Sequence, residues 1–172
     1  MAIVNREIDF EQIGRDLLKQ IPHDVGQMAL SHFKGSFRKQ GFTDYGFVAW
    51  PKRKDHFSHK ILMLTNSLMQ DLKVREERMS RIELSTTLPY GIIHNNGGVI
   101  RLRVSEKMRK FFWAMFKKTQ DEKWKGLATT KKRYLTIRIP KRQYIGHSHV
   151  LNKKIDNYLL NKIETAFKKG LG

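Results

Sequence analysis

The sequence predicts an α+β fold: a small, mostly antiparallel sheet packed by a central long helix, with further helices at the N- and C-termini. Three observations carry this prediction. Apolar residues recur at helical spacing between Ile8 and Phe37, between Val104 and Phe116, and between Leu151 and Phe167. Elsewhere the pattern changes to alternation, in "KVRE", "RIELS", "GGVIRLRV" and "YLTIRIP". The resulting order of helix, helix, strands, helix, strand, helix lays helices on one face of an antiparallel sheet. A chain of 172 residues, 40% of them hydrophobic, is also the size of one compact domain and long enough to bury most of its apolar surface. The expected organisation is therefore a single domain over 1–172. It comprises a helical part at 1–42, a loop or arm at 43–60, the sheet plus central helix at 61–146 with a mobile insertion at 119–133, and a C-terminal helix at 147–170.

Each element has its own signal. "IDFEQIGRDLLKQIP" sets Ile8, Ile13, Leu17 and Ile21 near helical spacing, and Asp9 with Gln12 makes a weak capping box. Pro22 is read as opening a second helix, on which Val25, Met28, Ala29, His32, Phe33, Ser36 and Phe37 share a core-facing side and Gly41 suits the C-cap. "TDYGFVAWPKRKDHFSHK" has no clear period and reads as loop or arm. "KILMLTNSLMQDLKV" fits either a short helix or a strand followed by a turn. "KVRE" and "RIELS" flank "ERMS" as a β-hairpin, and "GGVIRLRV" sets Val99, Arg101 and Arg103 against Ile100, Leu102 and Val104 on a short strand. Ser105 caps "SEKMRKFFWAMFKK", the strongest helix signal and the expected central packing element, with Phe111, Phe112 and Met115 in the core. From Lys117 to Tyr134 only Trp124, Leu127, Ala128 and Tyr134 are apolar, too little to offset the entropy of ordering the stretch. "YLTIRIP" is a strand stopped by Pro140, and Ser148 caps a last helix whose stripe is Leu151, Ile155, Leu159, Ile163 and Phe167, ended by Gly170.

The residue types exclude much chemistry. With no cysteine, disulfides, thiolate zinc sites and cysteine nucleophiles are ruled out. His147 and His149 in "GHSHV" share a direction only on a strand and have no carboxylate beside them in sequence, so they read as loop residues next to a helix N-cap, and no metal or cofactor is expected. "LPYGIIHNNGGVIRL" has neither Walker spacing nor GxGxxG, its glycines precede a strand, and His94 lacks the second ligand a metal-dependent nuclease needs. His94, Asn95, Asn96, Gly97 and Gly98 read instead as a structural turn between the short helical turn "YGIIH", which His94 ends, and the strand "VIRL", with at least one residue, Gly97 or Gly98, at positive φ and the His94 ring bonded to nearby backbone. No catalytic residue emerges, and the chain is expected not to be an enzyme. No apolar run reaches membrane-spanning length and no basic-then-apolar leader opens the sequence, so a soluble protein made in the cytoplasm is expected.

Charge points to partners. The chain carries 34 Lys+Arg against 16 Asp+Glu, a formal net of +18, and the half after residue 86 holds most of the excess. Such a field favours a polyanion or an acidic protein surface. Aromatics among the cations, Trp113, Trp124, Tyr134 and Tyr144, support one reading as a free basic nucleic-acid-binding protein.

Several stretches also resemble, in their order and spacing, the virion morphogenesis or tail completion proteins of tailed phages with Mu-like virions. They are "VGQMALSHFKGSFRKQGF", the "WPKRK" at Trp50, "PYGIIHNNGG", "KMRKFFW" and "LTIRIPKRQYIGHSHVLNKKI", and together they span nearly the whole chain. The sequence departs from that family in two places. Thr65, Asn66, Ser67 and Leu68 stand where a Thr-Gly-x-Leu turn is common, and Asn can supply the same backbone geometry; Gly91 stands where Ala is usual. The resemblance implies a non-enzymatic structural subunit of the virion, at the head–tail neck or tail end, synthesised in the host bacterial cytoplasm. It also implies a homo-oligomeric ring whose partners are other neck or tail proteins, such as a portal-proximal connector, tail terminator or tail tube, with DNA possible in the lumen and no membrane. The candidate intersubunit or DNA-facing residues are Arg109, Lys110, Lys117, Lys118, Trp124, Lys131, Lys132, Arg133, Lys141 and Arg142.

Overall fold

A computed structural model describes residues 9–53 and 58–171, with side chains up to residue 168. Ile8 and the part of the expected arm at 54–57 lie outside the described residues. The chain is α+β, as expected, and divides into two compact units, Met1–Asn96 with Lys141–Gly172 and Gly97–Pro140. The strands do not join into one sheet but form three separate antiparallel pairs.

The first unit is organised by α1 (Phe10–Lys39), one helix of 30 residues that runs through Pro22. Two helices broken at the proline were expected, because Pro lacks an N–H and crowds the preceding turn. The proline is accommodated within one helix and is itself buried, at the start of the face that runs from Ile21 through Val25, Gly26, Ala29 and Phe33 to Phe37. Asp9 caps the start, its carboxylate accepting from Gln12 N–H at 2.7 Å. At the other end the left-handed residue is Gln40, at φ 60°, rather than Gly41. Gln40 occupies that strained conformation with its side chain committed, Nε2 donating to the Phe37 carbonyl at 2.6 Å and Oε1 accepting from Ile61 N–H at 2.6 Å.

Where a loop was expected after Thr43 there is a short hairpin, β1 (Gly41–Thr43) with β2 (Phe47–Ala49), Phe42 pairing with Val48. The ambiguous stretch after Lys60 contains a short helix, α2 (Ser67–Asp71), approached through Asn66 at φ 57°, so asparagine does supply the geometry anticipated for glycine. The hairpin β3 (Lys73–Arg78) with β4 (Arg81–Ser85) follows as expected, with an irregularity between Val74 and Glu76. Next come α3 (Tyr90–Asn96) and, after the second unit, α6 (His149–Leu171). The last helix is tied to α1 through Asp24, which accepts the Tyr158 hydroxyl and lies 3.6 Å from Lys162 Nζ. Among the described residues no helix is long and apolar enough to cross a membrane.

The second unit is a ribbon of β5 (Gly98–Arg103) and β6 (Tyr134–Ile139) bearing α4 (Glu106–Thr119) and α5 (Glu122–Ala128). Ser105 caps α4 by accepting from Met108 N–H at 3.2 Å, as its sequence predicts. However, α4 is not the central packing element. The core is built around α1, from Phe33, Phe37, Phe42, Trp50, Leu68, Leu72, Tyr144 and Leu151. On α4 only Phe112 is buried; Phe111 is 54% exposed and Met115 half-buried. An amphipathic stripe announces that a helix will seek a partner, but not how much partner the fold provides. Within 119–133, where no regular structure was expected, Asp121 caps α5 and Trp124 stacks on Phe112 with centroids 6.0 Å apart.

A carboxylate locks the end of α2 in place. Asp71 accepts from Thr86 Oγ1 at 2.6 Å and from Thr87 N–H at 2.6 Å, and these hydrogen bonds, with Arg75 nearby, hold its pKa at about 2 against an ordinary 3.8. Because the folded-state pKa is depressed, the stabilisation is complete above pH 3.8 and is lost as pH falls through about 2. Melting temperatures of the parent and of Asp71→Asn should therefore differ at neutral pH and converge across that window. A gap that stays constant down to pH 2 would remove this role.

Candidate functional site

The residues expected to form a turn do two different jobs. His94 belongs to the short helical turn, as expected, but that helix, α3, also takes in Asn95 and Asn96, and the reversal itself falls on Gly97 at φ 73° and Gly98 at φ 154°. Both glycines hold positive φ where at least one was expected, a backbone state that side-chain-bearing residues rarely adopt. Asn95 has a role that the sequence reading missed. Its Oδ1 accepts from Tyr144 N–H at 2.9 Å and from Ile145 N–H at 3.1 Å, 49 and 50 positions away. The His94 carbonyl accepts from Arg142 N–H at 2.8 Å, so the end of α3 and the "RQYIG" stretch are laced together.

Around that lacing the aromatic core closes. Trp50 Nε1 donates to the Gln143 carbonyl at 2.7 Å, and Phe37 sits between Trp50 (5.7 Å, edge-on) and Tyr144 (5.0 Å, tilted). Burial, then the nearby Asp71 charge and Tyr90, push the Tyr144 phenol up to about 12, so it remains neutral. Gly91 is explained by the same core. A Cβ there would lie 2.6 Å from Thr86 Cγ2 and 2.8 Å from the Tyr144 hydroxyl oxygen, so glycine stands at this position for space, next to a tyrosine that fills it.

The His94 ring does not bond nearby backbone as expected. It lies edge-on to Tyr90 at 6.0 Å, and its Nδ1 is buried without a hydrogen-bond partner among the described residues. Burial and then the Arg142 charge keep its pKa below the usual histidine value, which favours the neutral ring. His32, expected on the core face of α1, is half-buried and shifted down for the same first reason.

Of the ten candidate partner-facing residues, Lys141 and Arg142 belong to the first unit and the other eight to the second. Lys110, Lys117, Lys118, Lys131, Lys132, Arg133 and Lys141 are exposed. Arg109 is half-buried and its guanidinium donates to the Ala128 carbonyl at 2.8 Å, closing the C-terminus of α5, so its charge is already engaged within the unit. Trp124 has its own seat, stacked on Phe112 and edge-on to Phe111 at 6.1 Å. Arg142 is half-buried beside α3.

The second unit's ribbon is two-sided by register. Ile100 faces Ile137 and Leu102 faces Leu135 on one side, whereas Arg101, Arg103 and Arg138 share the other with Tyr134, whose ring lies 4.5 Å beneath the Arg101 guanidinium. This unit carries 13 Lys and Arg against 3 Asp and Glu, a net of +10 of the chain's +18. Its only buried hydrophobic residues are Phe112 and Ala128, while Val99, Leu102, Phe111, Trp113, Tyr134 and Ile137 stay open to solvent. No family model matches the chain, and neither does any curated protein or any solved structure.

Proposed function

We propose that this protein is a non-enzymatic structural subunit of a tailed-phage particle, placed at the head–tail neck or the tail end, and that it acts as a member of a homo-oligomeric ring. The observation that carries the reading is the make-up of Gly97–Pro140: a strongly basic unit that buries two hydrophobic residues and leaves six large apolar ones exposed. Large apolar side chains left in solvent among charges are what subunit contacts cover. The charge suits acidic neighbouring proteins or DNA in a lumen. A second support is that the stretches carrying the family resemblance, around Phe37, Trp50, His94–Asn95 and Tyr144, are spent on hydrogen bonds and packing, as expected of residues that maintain a scaffold.

Inactivating the gene in the phage or prophage genome that carries it tests this reading. Heads and tails should accumulate unjoined or with unfinished ends, and antibody against the chain should label the neck or tail end of normal particles. Normal infectious particles formed without the protein would overturn it. The Arg101–Tyr134 pair on the basic ribbon face favours a second reading, a free nucleic-acid-binding protein. That reading gains if the isolated chain retards DNA with an affinity that falls steeply as salt rises.

A further inference from the structure

Within the first unit, the fold brings a side chain from early in the chain beside a pair from late in it. Asp44 comes from the β1–β2 turn, and His147 and His149 come from the segment that leads into α6. One ligand atom from each lies within 4.8 Å of the others. Their backbones are firmly held. Ser148, 1% exposed, donates from Oγ to the Thr43 carbonyl at 2.7 Å, His149 N–H donates to Asp44 Oδ1 at 2.9 Å, and Val150 N–H donates to the Asp44 carbonyl at 3.1 Å. The hairpin tip is thereby fastened to the start of α6. His147 Nδ1 is 3.9 Å from Asp44 Oδ1, the two imidazole centroids are 4.7 Å apart, and Tyr45 stacks on the His149 ring at 3.6 Å.

We propose that Asp44, His147 and His149 form a binding site for a divalent transition cation of the zinc class, which clips the β1–β2 turn to the N-terminus of α6. Two imidazoles and a carboxylate are a donor set that suits Zn2+ and its borderline neighbours, whereas Mg2+ and Ca2+ favour oxygen-rich cages. Tetrahedral bonds of about 2.0–2.1 Å place ligand atoms about 3.3 Å apart, so closure asks only for small side-chain rotations. Both histidines are exposed, and such rotations disturb no core. Asp44 caps His149 with Oδ1, which leaves Oδ2 for a metal. The Asn152 amide lies 3.2 Å from His147 Nε2, placed to accept the ring N–H opposite a bound ion once its amide is turned. The positive end of α6 and the chain's net +18 act against any cation, and the Asp44 carboxylate is the local charge that offsets them. Sequence alone missed the site because Asp44 is 105 positions from His149.

The test is calorimetric titration of the full chain with ZnCl2 and, in parallel, with MgCl2. One Zn2+ per chain should bind and raise the melting temperature, and Mg2+ should give no saturable heat. His147→Ala and His149→Ala should each weaken Zn2+ binding by about tenfold or more with an unchanged far-UV spectrum, while His23→Ala, which removes an exposed histidine elsewhere, should leave it intact. The two histidine variants carry the test because Asp44 also fastens the hairpin, so an Asp44 variant risks misfolding. Absence of Zn2+ binding, or affinity retained in both His147→Ala and His149→Ala, would overturn the proposal.

Discussion

Replacing Phe37 with alanine should lower the free energy of unfolding by about 3–5 kcal/mol, measured by urea denaturation at constant m-value. Phe37 is 0% exposed and is the residue on which Trp50 and Tyr144 both rest. The cost should fall toward the upper end of that range, because it depends on whether neighbours can collapse into the space. Here they are held elsewhere: Trp50 by its hydrogen bond to the Gln143 carbonyl, and Tyr144 by its backbone bond to Asn95. The cavity would persist. A typical domain is stable by only about 5–15 kcal/mol, so this one truncation removes a large fraction of the total. Phe111→Ala is the matched control, since that ring is 54% exposed and its loss should cost far less. If both variants lost the same amount, the assignment of the core to α1 would be wrong.

The comparison between Phe37 and Phe111 also shows what a single sequence can convey about this fold. Element type was readable wherever a local cause set it. Asp9, Ser105 and Ser148 mark helix starts because a side-chain oxygen meets an N–H three residues on, and Gly97 and Gly98 mark a reversal because they tolerate positive φ. The misses share one cause, which is that packing energy is not local. Pro22 reads as a break yet lies within one helix, buried at the start of its core-facing side. Residues 119–133 read as a mobile insertion too poor in apolar surface to order, although α5 forms there and Trp124 finds a seat on Phe112 that periodicity alone does not reveal. The helix with the clearest stripe, α4, reads as central, yet its own unit gives it only one buried side chain. Sites fared similarly. The exposed cations were visible in composition, but Arg109 proved to be engaged with the Ala128 carbonyl, and the Asp44 carboxylate that completes the histidine pair could not be found from spacing.

Asn95→Ala should be the second most damaging change, at about 2–4 kcal/mol, although it removes no apolar contact worth counting. The Asn95 Oδ1 serves two backbone donors at once, Tyr144 N–H and Ile145 N–H, on a segment where Tyr144 is 1% exposed. A buried donor left without an acceptor costs about 1–3 kcal/mol, and alanine would strand the amide of buried Tyr144 together with that of half-buried Ile145. The loss also propagates. Tyr144 is one wall of the Phe37 cavity, and the neighbouring Gln143 carbonyl accepts from Trp50, so loosening this backbone disturbs both aromatic contacts. Effects of Asn95→Ala and Phe37→Ala should accordingly fail to add in the double variant, because the two sites share partners. Asn95→Asp separates the hydrogen bonds from side-chain volume, since a carboxylate keeps an acceptor oxygen at the same place; it should recover most of the stability that alanine loses. Native-state hydrogen exchange gives the local check: the Tyr144 and Ile145 amides should exchange much faster in Asn95→Ala than in the parent and remain protected in Asn95→Asp. Equal protection of those two amides in all three proteins would mean that Asn95 does not hold this backbone.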